Sequence, residues 1–171
     1  EVSAIVEERD TDETTRSIDE VAMSTYVFDG AGLTAGLDKV GTHNDQKEEY
    51  LTDVVGILAG SGPVGAFTVA DHRETVGVNS HDQLWEADAL MRDRINRRWM
   101  EAGVWMQDPA TTYVDATVTL DPGARLYAGV HLEGATTVAA GAVVGPQVFV
   151  VDSTIGSGAR VWYSVVRRAE V

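Results

Sequence analysis

From Val114 onward the aliphatic residues keep a six-residue beat. Val114, Leu120, Leu126, Leu132, Val138, Val144 and Val150 share one phase. Val118, Ala124, Val130, Thr136, Ala142 and Val148 hold a second phase four residues later. A period of six matches neither the 3.6-residue turn of an α-helix nor the alternation of a strand. It matches a parallel β-helix, where each hexapeptide supplies one short strand and a turn, and stacked coils close over a continuous core. Gly123, Gly129 and Gly141 share a turn phase, which gives the backbone freedom where it bends. After Val150 the anchors are Ile155 and Val161, so one repeat has five residues, and Ala159 and Val165 are expected to continue the small position. From Val114 to Val166 there is room for about three triangular coils, with strands about 4.8 Å apart. A Gly-rich antiparallel domain would not hold such a phase.

Ahead of the repeats the texture is mixed α/β. Ser3–Val6, Met23–Asp29 and Val64–Val69 read as strands from their β-branched, aromatic or alternating residues. Leu33, Leu37 and Val40 predict a short helix, and Thr52 is placed to cap another that runs to about Ala59, before a Gly-Ser-Gly-Pro break. The best-defined helix opens at Ser80, with Gln83 three residues on in the capping-box pattern. Leu84, Ala87, Met91, Ile95, Trp99 and Ala102 line one face of it as a core stripe, and Gly103 ends it. The expected organisation is an α/β domain over 1–79, a linker helix over 80–103 and hexapeptide repeats over 104–171.

Composition narrows the function. A chain of 171 residues, 44% hydrophobic and 23% charged, is long enough to bury a core and too apolar for disorder. Its net charge of −14 argues against non-specific binding to nucleic acid or an anionic membrane, since both need a basic face. The absence of cysteine removes disulfides and thiolate metal sites and fits a reducing compartment. No apolar run has the length of a membrane span. Phosphate-binding glycine loops of the GxxxxGK or GxGxxG kind are missing. His43, His72, His81 and His131 show no metal-ligand spacing, and surface or packing roles are expected for each. The chain starts at Glu1 without Met and stops at Val171 directly after a repeat, so it reads as a piece of a longer protein.

Four short motifs run in order along the first part: Ala4-Ile5-Val6-Glu7-Glu8-Arg9-Asp10, Tyr26-Val27-Phe28-Asp29, Glu49-Tyr50-Leu51-Thr52-Asp53 and Gly77-Val78-Asn79-Ser80. With the helix and repeats that follow, they resemble the bacterial bifunctional N-acetylglucosamine-1-phosphate uridyltransferase / glucosamine-1-phosphate N-acetyltransferase family. The resemblance implies the C-terminal part of a Rossmann-like nucleotidyltransferase domain, a linker helix and a left-handed parallel β-helix. It also implies a cytoplasmic enzyme that is a homotrimer at full length, with UTP and N-acetylglucosamine 1-phosphate as partners and Mg²⁺ as cofactor. Acetyl-coenzyme A is implied as co-substrate of an acetyltransferase site in later coils.

Residue by residue, Glu7 matches the family's sugar-binding glutamate, a carboxylate able to accept two hydroxyls. Without the resemblance it reads as a solvated strand-end residue. Asn79 matches an asparagine that binds the nucleotide-sugar and Mg²⁺, though a turn or cap residue explains it locally. Thr52 matches a threonine that faces the sugar, with a helix N-cap as the other reading. No nucleophile or other catalytic side chain is expected, because positioning and charge neutralisation do most of such a phosphoryl transfer. Where the family has Asn-x-Gly after Glu-Val, this chain has Ala22-Met23-Ser24, which removes a hydrogen-bonding group from the sugar-nucleotide site. Ser80 and His81 also depart from the family's pattern. The chain alone is expected to catalyse neither reaction. The alternatives are a nucleotidyltransferase for another sugar 1-phosphate, or a non-catalytic hexapeptide-repeat oligomerisation module.

Overall fold

The computed structural model describes residues 2–171, and the chain divides into two compact units, one ending at Thr75 and one spanning Val76–Val171. In the first, the helices are α1 (Glu13–Arg16), α2 (Gly30–Leu37) and α3 (Leu51–Ala59). Asp29 caps α2 by accepting the Gly32 N–H at 2.9 Å. The two longer helices pack tightly, because Gly36 of α2 leaves Val54 Cγ1 only 2.7 Å from where a Cβ would stand. Val54 and Val55 are the buried apolar residues of this unit.

Among the described residues the three segments read as strands here form no ladder; next to the first, Val2 N–H donates to the Val64 carbonyl at 3.0 Å. Strand propensity describes how a side chain suits a pleated, half-covered surface, and it produces a strand only where a neighbour pairs. Val27 and Phe67, at 98% and 91% exposed, have no such surface against them.

The second unit opens with α4 (His81–Glu101). Ser80 is its N-cap and accepts the Gln83 N–H at 3.5 Å, as the capping box requires. At the other end Gly103 takes a φ of +96°, its N–H bonds the Met100 carbonyl, and Val104 N–H bonds that of Trp99. These two bonds are a Schellman motif, which sends the chain off the helix and into the repeats.

The core stripe expected along α4 is only partly buried. Ile95 and Trp99 pack on the repeat core and Asn96 is buried, whereas Leu84 and Met91 are 54% and 52% exposed. The amphipathic pattern runs the length of the helix, but only its last turns lie against the coils.

The strands are β1 (Trp105–Met106), β2 (Tyr113–Val114), β3 (Thr119–Leu120), β4 (Arg125–Leu126), β5 (Val130–Glu133), β6 (Thr137–Val138), β7 (Val143–Val144), β8 (Val148–Val151), β9 (Thr154–Ile155), β10 (Arg160–Val161) and β11 (Val165–Arg167). They form three parallel sheets, β1-β4-β7-β10, β2-β5-β8-β11 and β3-β6-β9, each face drawing every third strand. This is the three-sided β-helix the hexapeptide phase predicts. Every anchor from Val114 to Val161 is buried, and the second phase from Val118 to Val148 is buried with it. The turn glycines Gly123, Gly129 and Gly141 have φ of +89°, +71° and +75°.

Two details go beyond the periodicity. A rung precedes Val114: Met106 pairs with Leu126 and is buried, and an eight-residue excursion through a 3₁₀ turn at Pro109–Thr111 hides it from the six-residue phase. Shortening also happens twice. Val138 pairs with Ile155, seventeen residues on, and Val150 pairs with Val166, sixteen on. The second lost residue turns Val165 outward, 67% exposed, so it does not take the small inward position expected of it. Its neighbour Val166 packs on the core instead.

Replacing Leu126, fully buried at the centre of the ladder, by Ala is expected to cost about 2–5 kcal/mol by urea unfolding. Val165→Ala is expected to stay within about 0.5 kcal/mol of the parent. Equal losses at both positions would contradict the assigned register.

Candidate functional site

The segment carrying Glu7 leads into a 3₁₀ turn, Glu8–Asp10, which ends with Thr11 Oγ1 donating to the Glu8 carbonyl at 2.7 Å. Asp10 then reaches across 35 residues and accepts the Asp45 N–H at 2.9 Å. Asp45 lies in a tight loop closed by Asn44, whose Oδ1 accepts the Glu48 N–H at 3.0 Å and whose Nδ2 donates to the Glu48 carbonyl. Within the same loop the Tyr50 hydroxyl donates to Gln46 Oε1 at 2.8 Å. The loop therefore delivers the chain to the start of α3 while pinned to the Glu7 segment.

Thr52 is not the N-cap expected of it. Tyr50 occupies the cap position with no side-chain cap bond, and Thr52 is the second residue of α3. Its hydroxyl is thereby free to turn outward, and Oγ1 donates to Glu7 Oε1 at 3.1 Å. Two candidate residues 45 positions apart thus touch directly. Glu7 is exposed and Thr52 half-buried, so the carboxylate keeps lone pairs open to a ligand. The contact sets the Glu7 carboxylate beside Thr52 in the first turn of α3, the end of a helix that favours negative charge.

Asn79 belongs to the second unit, just ahead of α4. Its N–H donates to Gln83 Oε1 at 2.7 Å, so its main chain completes the start of the helix while the residue is exposed. Both readings of Asn79 survive this geometry, because the main chain does the capping and the side chain is left available. As a metal site it offers one neutral oxygen, and among the described residues no group of three or more His, Cys, Asp or Glu could hold a metal ion. That donor set fits one position around Mg²⁺, an ion that keeps several waters and leans on substrate phosphates.

Tyr50 is a neighbour that the sequence alone did not single out, although it lies inside the Glu-Tyr-Leu-Thr-Asp motif. Desolvation pushes its phenol above the usual range, and the carboxylates of Asp10, Glu48 and Glu7 push it further. Asp10, Glu48 and Glu7 are therefore each within electrostatic reach of Tyr50. Ala22, Met23 and Ser24 are exposed, and no hydrogen-bonding side chain stands at Ala22. Of the histidines, His131 stacks on Tyr113 with ring centroids 4.4 Å apart, while His43, His72 and His81 are exposed.

No family model matches the chain. It is 46% identical over 171 residues to bifunctional protein GlmU of Streptomyces avermitilis, covering 99% of this chain and 36% of the relative. Over its length the chain matches a segment of the GlmU proteins. GlmU of Cutibacterium acnes is 44% identical over 177 residues, with 99% of this chain and 42% of the relative covered. That of Thermoanaerobacter pseudethanolicus is 42% identical over 171 residues, with 99% and 37% covered. The chain thus spans about two fifths or less of the GlmU relatives it matches. Among the described residues no helix is long and apolar enough to cross a membrane.

Asp10→Asn and Glu7→Gln should each lower the Tyr50 titration midpoint, because each removes a negative charge that opposes phenolate. The Asp10 change should move it more. The measurement is the Tyr50 ring-carbon resonance followed against pH, and an unmoved midpoint in both variants would separate Tyr50 from the carboxylates.

Proposed function

We propose that the first unit supplies the sugar-binding part of a uridyltransferase that makes UDP-N-acetylglucosamine from UTP and N-acetylglucosamine 1-phosphate. The repeats are then the start of a glucosamine-1-phosphate acetyltransferase β-helix that uses acetyl-coenzyme A. The observation that carries the reading is the 3.1 Å contact between Glu7 and Thr52, which joins two of the three residues matched to the family's sugar site.

In this reading Glu7 accepts hydrogen bonds from sugar hydroxyls, and Thr52 holds its carboxylate in place by donating to one lone pair of Oε1. The phosphate oxygen of the sugar phosphate attacks the α-phosphorus of UTP. A new phosphorus–oxygen bond forms, the bond to the β-phosphate breaks, and pyrophosphate leaves with the electron pair. Asn79 would hold Mg²⁺ together with the phosphates, and the ion supplies neutralisation of charge. Protein side chains need only bind and orient, since this transfer proceeds by positioning and electrostatics. The domain limits that go with this reading are 1–79, 80–103 and 104–171, and the complete protein is a cytoplasmic homotrimer.

A second reading rests on Ala22-Met23-Ser24, which lacks the amide expected beside the sugar nucleotide. There the same site accepts a different sugar 1-phosphate.

Kinetics of the complete protein with UTP and a panel of sugar 1-phosphates test both readings. Glu7→Gln should weaken sugar-phosphate binding about 10- to 100-fold, as loss of a hydrogen bond to a charged group does, and leave the KM for UTP unchanged. Thr52→Val should cost less, and Asn79→Ala should raise the Mg²⁺ requirement. Full activity of Glu7→Gln on N-acetylglucosamine 1-phosphate would overturn the first reading. Preference for another sugar would establish the second.

A further inference from the structure

The buried end of α4 carries two polar atoms that no protein group pairs with, Asn96 Oδ1 and Trp99 Nε1. Asn96 is 1% exposed, and its amide cannot be reversed. Nδ2 donates to the Pro109 carbonyl at 2.9 Å and to the Thr112 carbonyl at 2.8 Å. A reversed amide would press an oxygen against both carbonyl oxygens, so the oxygen must be the unpaired atom. The indole N–H of Trp99 can only donate. The Arg98 guanidinium, 4.8 Å above the Trp99 ring centroid, is itself a donor and cannot take that hydrogen.

An acceptor and a donor are thus left over on neighbouring side chains. Residues three apart on a helix share a face, with Cβ atoms about 5–6 Å apart. A long helical side chain leans back over the preceding turn, and for Trp99 the preceding turn is the one that carries Asn96. The two atoms make no direct bond, yet they lie on one face where a bridge of two hydrogen bonds, each about 2.9 Å, can span them. Both are shut off from bulk solvent, so a larger ligand has no entry. Buried water is the usual partner of such groups and needs two to four polar contacts.

We propose that one buried water molecule binds between Asn96 and Trp99, accepting from the indole N–H and donating to Asn96 Oδ1. With the two bonds from Nδ2, this water completes the joint between α4 and the excursion that follows the first rung. Asn96 then uses both ends of its amide: one holds main-chain carbonyls, the other holds the water.

A crystal structure of the full chain, at a resolution that shows ordered water, tests this directly. Density for one water within hydrogen-bond distance of both atoms is expected. A direct Asn96–Trp99 bond, or no density between them, would overturn the proposal. In solution the indole N–H of Trp99 should show the cross-relaxation with water that marks a long-lived bound molecule. Trp99→Phe, which removes that resonance, identifies it among Trp85, Trp99, Trp105 and Trp162. An indole N–H of Trp99 with no such peak counts against the site.

Discussion

The strands of the repeats find their main-chain partners along the axis of the coil, and that constraint organises the second unit. Arg125 N–H meets the Ala142 carbonyl at 2.9 Å, and Val143 N–H meets that of Ala159 at 2.9 Å, each bond joining one coil to the next. With the backbone satisfied between coils, the interior has only to be apolar and of even width. Leu126, Leu132, Val138, Val144, Val150 and Ile155 meet that demand as an unbroken buried column. Outward turns are free of it. Two of them lose a residue, and the pairing moves from eighteen to seventeen to sixteen residues without exposing an anchor.

The same constraint explains why the junction with α4 is so heavily tied. A helix satisfies its own main chain, a coil needs a neighbour, and the chain passes from one regime to the other between Ala102 and Trp105. The Schellman bonds settle the last helical carbonyls there, while Trp105 N–H already meets the Ala124 carbonyl at 2.9 Å. The eight-residue excursion after Met106 has no coil before it to pair with. Asn96 takes over that duty from the helix side by donating to the Pro109 and Thr112 carbonyls. A polar side chain on the buried face of α4 therefore replaces a missing strand.

The repeats were legible because their signal is periodic and their burial follows from it residue by residue. What the period could not show is where the coil begins or where it slips, since an excursion and a lost residue both break the count that reveals them. Met106 is the example at one end and Val165 at the other. Leu84 and Met91 fail for another reason: amphipathicity states which face would be buried, and the neighbour decides whether it is. In the first unit, residue matching marked Glu7 and Thr52, and the structure brings them into contact. It could not show that Thr52 leaves the cap position to Tyr50, because capping depends on where the helix starts, and a shift of two residues reverses the role.

The contact between Glu7 and Thr52 is held by loops and not by a sheet. The bonds that fix it are few: Asp10 to the Asp45 N–H, Asn44 to Glu48, Tyr50 to Gln46, and Thr52 to Glu7 itself. All involve side chains, and each has at least one exposed partner, so each is a modest term in competition with water. Such a site keeps its shape through the number of independent ties. α3 supplies the rigid member, since the burial of Val54 and Val55 fixes its orientation and hence the direction of Thr52. The carboxylate is the adjustable member, with one lone pair occupied by Thr52 and the others open. Under the proposed function, a group of this kind swings to meet the ligand while its anchor stays on the helix. Under the same proposal, specificity depends on which further donors surround the ligand, and Ala22 supplies a methyl where the resemblance implies an amide.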